Sequence, residues 1–148
     1  MPQECAIIGI TCNPLKTLFR AFRYSGIASI AAGMAHLIYK ICPRALWQEA
    51  EMAGVFHGAP IDHADGYIHF STAEQVAETA AEHFAQQDDL LLIAIDATSL
   101  GSALKYEVSR GGALFPHLYA PLELDKVEWV RPLPLGSDGL HIFPELPE

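Results

Sequence analysis

"GYIHFSTAEQVAETAAEHFAQQDDLLLIAID", residues 66–96, contains three different periodicities in succession. In GYIHFS (66–71) the alternation puts Tyr67, His69 and Ser71 on one face and Ile68 and Phe70 on the other, the pattern of a strand. Ala73, Val76, Ala77, Ala80, Ala81 and Phe84 then recur at helical spacing, with Glu74, Glu78 and Glu82 toward solvent. Ser71 followed by Glu74 fits a capping box, so the helix is expected to start directly after the strand. DLLLIAID (89–96) is apolar without alternation, as a central strand buried on both faces would be. Strand, helix and central strand together set the fold class.

Upstream, HLIYKIC (36–42) reads as a strand and PRALWQEAEMAG (43–54) as a helix, with Pro43 at its first position and Gly54 as its stop. Leu46, Ala50 and Ala53 form an inward stripe with Trp47 beside it. VFHGAPIDHAD (55–65) reads as a surface loop. Downstream, ATSLGS is a turn, and ALKYEVS (103–109) is a half-buried strand with Leu104, Tyr106 and Val108 inward. RGGALFPH is expected to be a loop and HLYAPLEL a short extended piece. DKVEWVRPLPL (125–135) is an edge strand ended by Pro132 and Pro134. The sum is an α+β domain: five to six strands, mainly antiparallel, in a whole or split sheet with two main helices.

The 148 residues suit one domain, and 51% hydrophobic content supports a packed core. A net charge of −9 argues against a broad nucleic-acid surface but not against a small ligand held by a few local cations. The charge is uneven. Residues 1–33 set Glu4 against Lys16, Arg20 and Arg23, a net of +2, and the rest carries −11. A boundary near Gly33 therefore divides an N-terminal extension (1–33) from the functional domain (34–135) and an irregular tail (136–148). The extension is basic and then small and apolar, so it reads either as a targeting segment or as sequence upstream of a natural start at Met34. Its apolar part is too short and interrupted for a membrane span, which needs about 20 apolar residues. Cys5, Cys12 and Cys42 have no paired spacing, so a reducing, cytoplasmic setting is expected.

No G-x-S-x-G elbow, phosphate loop, Rossmann glycine fingerprint or H-E-x-x-H motif is present. His57, His63 and His69 recur every six residues with Asp62 and Asp65 between them, which raises a metal-dependent hydrolase as one option. That spacing is no known ligand signature, and no metal is expected. Ser71 and His69 share a strand face but lie about 7 Å apart, so capping accounts for Ser71 more simply than nucleophilic attack. His69 and His117 are the stronger pair, because FPHLY repeats the pattern of YIHFS. A neutral imidazole among apolar neighbours needs partners for both nitrogens, and two such histidines on flanking strands suggest a shared site. Glu107 lies on the polar face of its strand, and Arg110-Gly111-Gly112 after it could cradle an anion or form a plain turn.

LIYKI, the Trp47 helix, DGYIHFSTAEQ, LLLIAID, YEVS and FPHLYAPL together resemble the Domain of Unknown Function 952 family over about residues 36–133. More distantly the chain is similar to the ADP-ribosyltransferase and RNA 2′-phosphotransferase superfamily, through IHFS. That likeness implies an ADP-ribosyltransferase-like fold with NAD as substrate, bound in a cleft between two halves of the sheet. It puts His69 at the ligand-contact position, with Ser71 and Thr72 beside it, and the first-strand position at Tyr39 or Lys40. Lys40 or Arg110 would meet the pyrophosphate, and Tyr39 or Tyr67 would stack on a ring. The last catalytic position falls near His117, where many transferases have Glu; the sequence departs there, and Glu107 from a neighbouring strand is the substitute. The alternative is a non-catalytic small-ligand binding module on the same cleft.

Overall fold

The computed structural model describes residues 36–147. The N-terminal extension reading lies outside them. Strand β1 (Leu37–Pro43) leads into helix α1 (Arg44–Ala53), then β2 (Val55–Phe56), a short helix α2 (Pro60–Asp65) and β3 (Ile68–His69). Helix α3 (Val76–His83) precedes β4 (Leu90–Asp96), β5 (Leu104–Val108), β6 (Leu114–Leu118), β7 (Leu122–Glu123) and β8 (Val127–Leu133). Short 3-10 turns follow β4, β5 and β7. The class is α+β, with the strands divided among three antiparallel sheets: β1-β4-β8, β2-β7 and β3-β6-β5.

β4 is the centre, as its unbroken apolar run requires. Its first six residues are buried, with β1 on one side and β8 on the other. Leu91, Ile93 and Ile95 face one core with Trp47, Phe56 and Leu118, while Leu90, Leu92 and Ala94 face a second with Val76, Ala80 and Leu133. Alternation along β1 feeds both cores: Ile38 and Cys42 join the first, Tyr39 and Ile41 the second.

Helix α1 follows the expected punctuation to within one residue, starting at Arg44 rather than Pro43. Pro43 sits just before the first turn, and Gly54 ends the helix at φ 79°, a left-handed conformation that favours glycine. Trp47 at its middle is fully buried.

Four expectations need correction. Residues 60–65 are not loop: Pro60 opens α2, and Gly66 closes it at φ 86°. The Ser71–Glu74 capping box does not form. The chain first crosses to β1, α3 begins only at Val76, and the amide of Thr72 donates to Gln75 Oε1 at 3.1 Å. Ala77 and Ala81 are exposed, so the buried stripe of α3 is narrower than the spacing suggests. On β5 the alternation is reversed in meaning. Val108 is 71% and Tyr106 41% exposed, because the β5–β6 hairpin runs past the core, and the polar face carries Glu107.

β6 begins at Leu114, so FPH is strand rather than loop, with Pro116 inside it. Phe70 opposes Pro116 and donates to its carbonyl at 2.9 Å. An opposed antiparallel pair of this kind exchanges two bonds, and proline has no N–H for the second. The β3–β6 ladder stops there. One residue on, Ser71 exchanges backbone bonds of 2.8 and 2.9 Å with Tyr39 on β1. The sheet thus splits around a cleft.

Candidate functional site

β3 pairs with β6 so that His69 lies directly opposite His117. The neighbouring Phe70–Pro116 pair carries the ladder bond, so the histidine pair is of the non-bonded kind, in which side chains approach most closely. The ring centroids are 5.4 Å apart, edge to face. Both histidines line one cleft of about 660 Å³, within the range of small-molecule sites.

Each histidine is oriented by a carboxylate. His117 is 4% exposed, and its Nδ1 is 2.9 Å from Glu107 Oε2. Tyr119 donates its hydroxyl to the same oxygen at 2.7 Å. These two bonds hold the Glu107 carboxyl below the usual carboxylate range, and the Glu107 bond in turn raises the Tyr119 phenol. No described residue bonds His117 Nε2, and no described side-chain polar atom sealed from solvent lacks a partner. Nε2 therefore opens on the cleft.

His69 is engaged at both ring nitrogens. Its Nδ1 lies 2.7 Å from Asp62 Oδ1, and its Nε2 lies 3.1 Å from Asp65 Oδ2. Its backbone N–H points off the free edge of β3 and donates to Asp62 at 3.1 Å. Asp62, 2% exposed, also accepts from Lys40 Nζ at 2.8 and 2.9 Å and from the Ala59 amide at 2.7 Å. Burial pushes its carboxyl up, but the His69 bond, the Lys40 charge and bond and the Ala59 N–H outweigh it, so the carboxyl stays well below the usual range. Burial lowers the Lys40 ammonium against the pull of Asp62. Gly58 makes room for this hub: at φ 115°, a Cβ there would stand 2.8 Å from Asp62 Cβ.

Tyr67 backs the histidines from the far side, in a second, shallower cavity. Its ring stacks on His117 at 4.2 Å and leans on His69 at 4.7 Å. Tyr39 borders the cleft, but its ring packs against Trp129 and its hydroxyl donates to the Pro147 carbonyl. Ser71 Oγ faces the cleft 3.0 Å from Thr79 Oγ1, and Thr72 does not line it. Arg110 lines the cleft, bonded to Glu82 on α3 and stacked over Phe115. The structure thus brings His69, His117, Ser71, Lys40 and Arg110 to one cleft, with Glu107 behind His117.

The two cations differ in availability. The Lys40–Asp62 side chains are 6% and 1% exposed, and breaking such a buried pair costs about 3–5 kcal/mol. The Arg110–Glu82 pair, 29% and 41% exposed, is of a kind worth about 0–1 kcal/mol. The Arg110–Glu82 pair is therefore the easier of the two to exchange. Among the described residues no three His, Cys, Asp or Glu side chains are grouped to hold a metal. His57 and His63 line the second cavity, apart from His69 in the first. Asp62 is the site residue that sequence reasoning did not single out. Its signal was Pro60 with an acid two residues later, the first turn of a helix whose carboxylate caps the preceding amide.

The architecture is that of a small α+β domain with a paired-histidine cleft. The chain belongs to the family described as protein of unknown function DUF952, whose profile matches residues 41–130. It is similar to protein CC0527 from Caulobacter crescentus. The crystal structure of that protein is 50% identical, covers 72% of this chain and 93% of its own, and superposes with a TM-score of 0.70. Its solution structure, also 50% identical, covers 71% and 90%, with a TM-score of 0.66. No curated protein matches the sequence. No helix among the described residues is long and apolar enough to cross a membrane.

Proposed function

We propose that the cleft is the active site of an enzyme that cleaves or transfers a nucleotide of the NAD class by histidine acid–base chemistry, as the likeness to the ADP-ribosyltransferase and RNA 2′-phosphotransferase superfamily implies. The observation that carries this reading is the Glu107–His117 pair, with Nδ1 held by the carboxylate and Nε2 open to the cleft it shares with His69. A carboxylate on one ring nitrogen fixes the tautomer and leaves the other nitrogen to exchange a proton with a ligand. In this reading the bond from ribose to nicotinamide breaks, nicotinamide leaves with the bond's electrons, and water or an acceptor hydroxyl adds at the ribose carbon. His117 Nε2 takes the proton of that nucleophile. The Asp65, Asp62 and Glu107 carboxylates around the histidines favour positive charge building at the ribose carbon.

The test is nicotinamide release from NAD by the purified protein and by His117→Gln, beside a thermal-shift series of NAD, ADP-ribose, AMP and adenosine. Release that is lost in His117→Gln, with its melting temperature kept, supports the enzyme. The second reading is a non-catalytic binding module. It is favoured by His117 standing where the likeness puts a catalytic glutamate, and by the net charge of −9. A melting shift without turnover supports it. No shift with any of these compounds sinks both readings.

A further inference from the structure

One wall of the cleft carries polar groups that the acid–base pair does not use. Thr79 and His83 lie on α3, Ser71 lies where the chain crosses to β1, and Arg110 opens the turn after β5. These four form a connected chain. Ser71 Oγ is 3.0 Å from Thr79 Oγ1, Arg110 Nη2 donates to Thr79 Oγ1 at 3.5 Å, and Arg110 Nη1 lies 3.0 Å from His83 Nε2. Two hydroxyls, a guanidinium and an imidazole converge, and one carboxylate, Glu82, bonds Arg110 from the same helix. A guanidinium presents paired donors that suit a carboxylate or a phosphoryl group alike. Glu82 therefore stands on Arg110 as a ligand's oxyanion would.

We infer that Arg110, Thr79, Ser71 and His83 form a phosphoryl subsite, and that Glu82 competes with the ligand for Arg110. The inference rests on the nucleotide reading above and narrows it to the group the ligand must carry. The spacing along β6 supports this. His117 and Phe115 lie two residues apart on the cleft face, roughly 7 Å along the strand. The Arg110 guanidinium lies 5.3 Å from the Phe115 ring centroid. A phosphoryl group on Arg110 would thus lie on the Phe115 side of the group that meets His117. Phe115 offers the flat apolar wall between them. The partly exposed Arg110–Glu82 pair can be exchanged at little cost, unlike the buried Lys40–Asp62 pair.

The experiment is calorimetric titration of AMP, adenosine and inorganic phosphate into the full chain, into Glu82→Gln and into Arg110→Met. Removing the competing carboxylate is expected to tighten AMP binding by about fivefold while leaving adenosine unchanged. Arg110→Met is expected to lose the preference for AMP over adenosine. If Glu82→Gln binds AMP within about twofold of the parent, or Arg110→Met keeps the preference, the subsite is refuted. The inorganic phosphate arm separates this outcome from failure of the nucleotide reading. Phosphate binding that tightens in Glu82→Gln while AMP and adenosine both fail to bind retains the subsite and removes the nucleotide. Phosphate binding that is absent or indifferent to Glu82 removes the subsite, whatever the nucleotide results.

Discussion

Asp62→Asn offers a sharp test of how the site is held. The carboxylate accepts five hydrogen bonds: two from Lys40, one from the Ala59 amide and two from His69. Every neighbour is a donor. An asparagine of nearly the same shape must turn its NH2 toward one set of them. The better choice is the Oδ2 position, where the NH2 meets the Lys40 ammonium and the Ala59 N–H. Lys40, 5% exposed, then loses the carboxylate that offsets its burial. The expected loss is about 3–5 kcal/mol, the usual cost of breaking a buried ion pair from one side. For a domain of this size that lowers the melting temperature by roughly 12 °C or more. Urea unfolding followed by Trp fluorescence measures the loss. Lys40→Met combined with Asp62→Asn removes the stranded ammonium and is expected to regain more than about 1 kcal/mol over the sum of the single losses. A loss below about 1 kcal/mol in Asp62→Asn, or strict additivity in the double variant, refutes the hub.

Other outcomes follow from the same geometry. The folded carboxyl of Asp62 lies below its unfolded value of about 3.9, so its stabilisation is complete above that value and is lost as pH falls through the depressed folded value. Urea midpoints across an acid series should fall for the parent and stay flatter for Asp62→Asn; parallel slopes would remove this role. Burial pushes the Cys42 thiol up to about 12. In a chain with Cys5 and Cys12 changed to Ser, an aromatic disulfide reagent at pH 8 should label Cys42 only after unfolding, and fast native labelling would contradict its burial. Gly54 and Gly58 separate strain from crowding. Gly54→Ala meets nothing within 4 Å and should cost about 1 kcal/mol from its positive φ alone. Gly58→Ala drives a Cβ to 2.8 Å from Asp62 and should cost clearly more, so equal losses would deny the close approach.

Much of the scaffold was legible because single residues dictated it. Leu90 to Ile95 left no polar face, so β4 had to be covered on both sides. Gly54 supplied the left-handed stop that α1 uses. The likeness of YIHFS to FPHLY anticipated a shared cleft but not the register that places the two histidines opposite each other. What stayed hidden depends on contacts between distant segments. Asp62 looked solvated in a run of Gly, Pro and His, since its donors come from β1, β3 and the entry to α2. Ser71 carried a valid local capping signal, yet backbone bonds to Tyr39 took the chain first. Val108 alternated correctly for a buried face, but the hairpin extends beyond anything that could cover it.

The missing N–H of Pro116 has a consequence for how the protein breathes. Because that residue ends one ladder early, a single bridge between Tyr39 and Ser71 is the backbone stitch joining the β1 sheet to the β3 sheet among the described residues. Any widening of the cleft between those sheets must strain two particular amides before any others. Their hydrogen-exchange rates, set against those of the β1–β4 ladder, are a built-in gauge of the cleft's opening. A ligand that seats between His69 and Arg110 would slow that pair first.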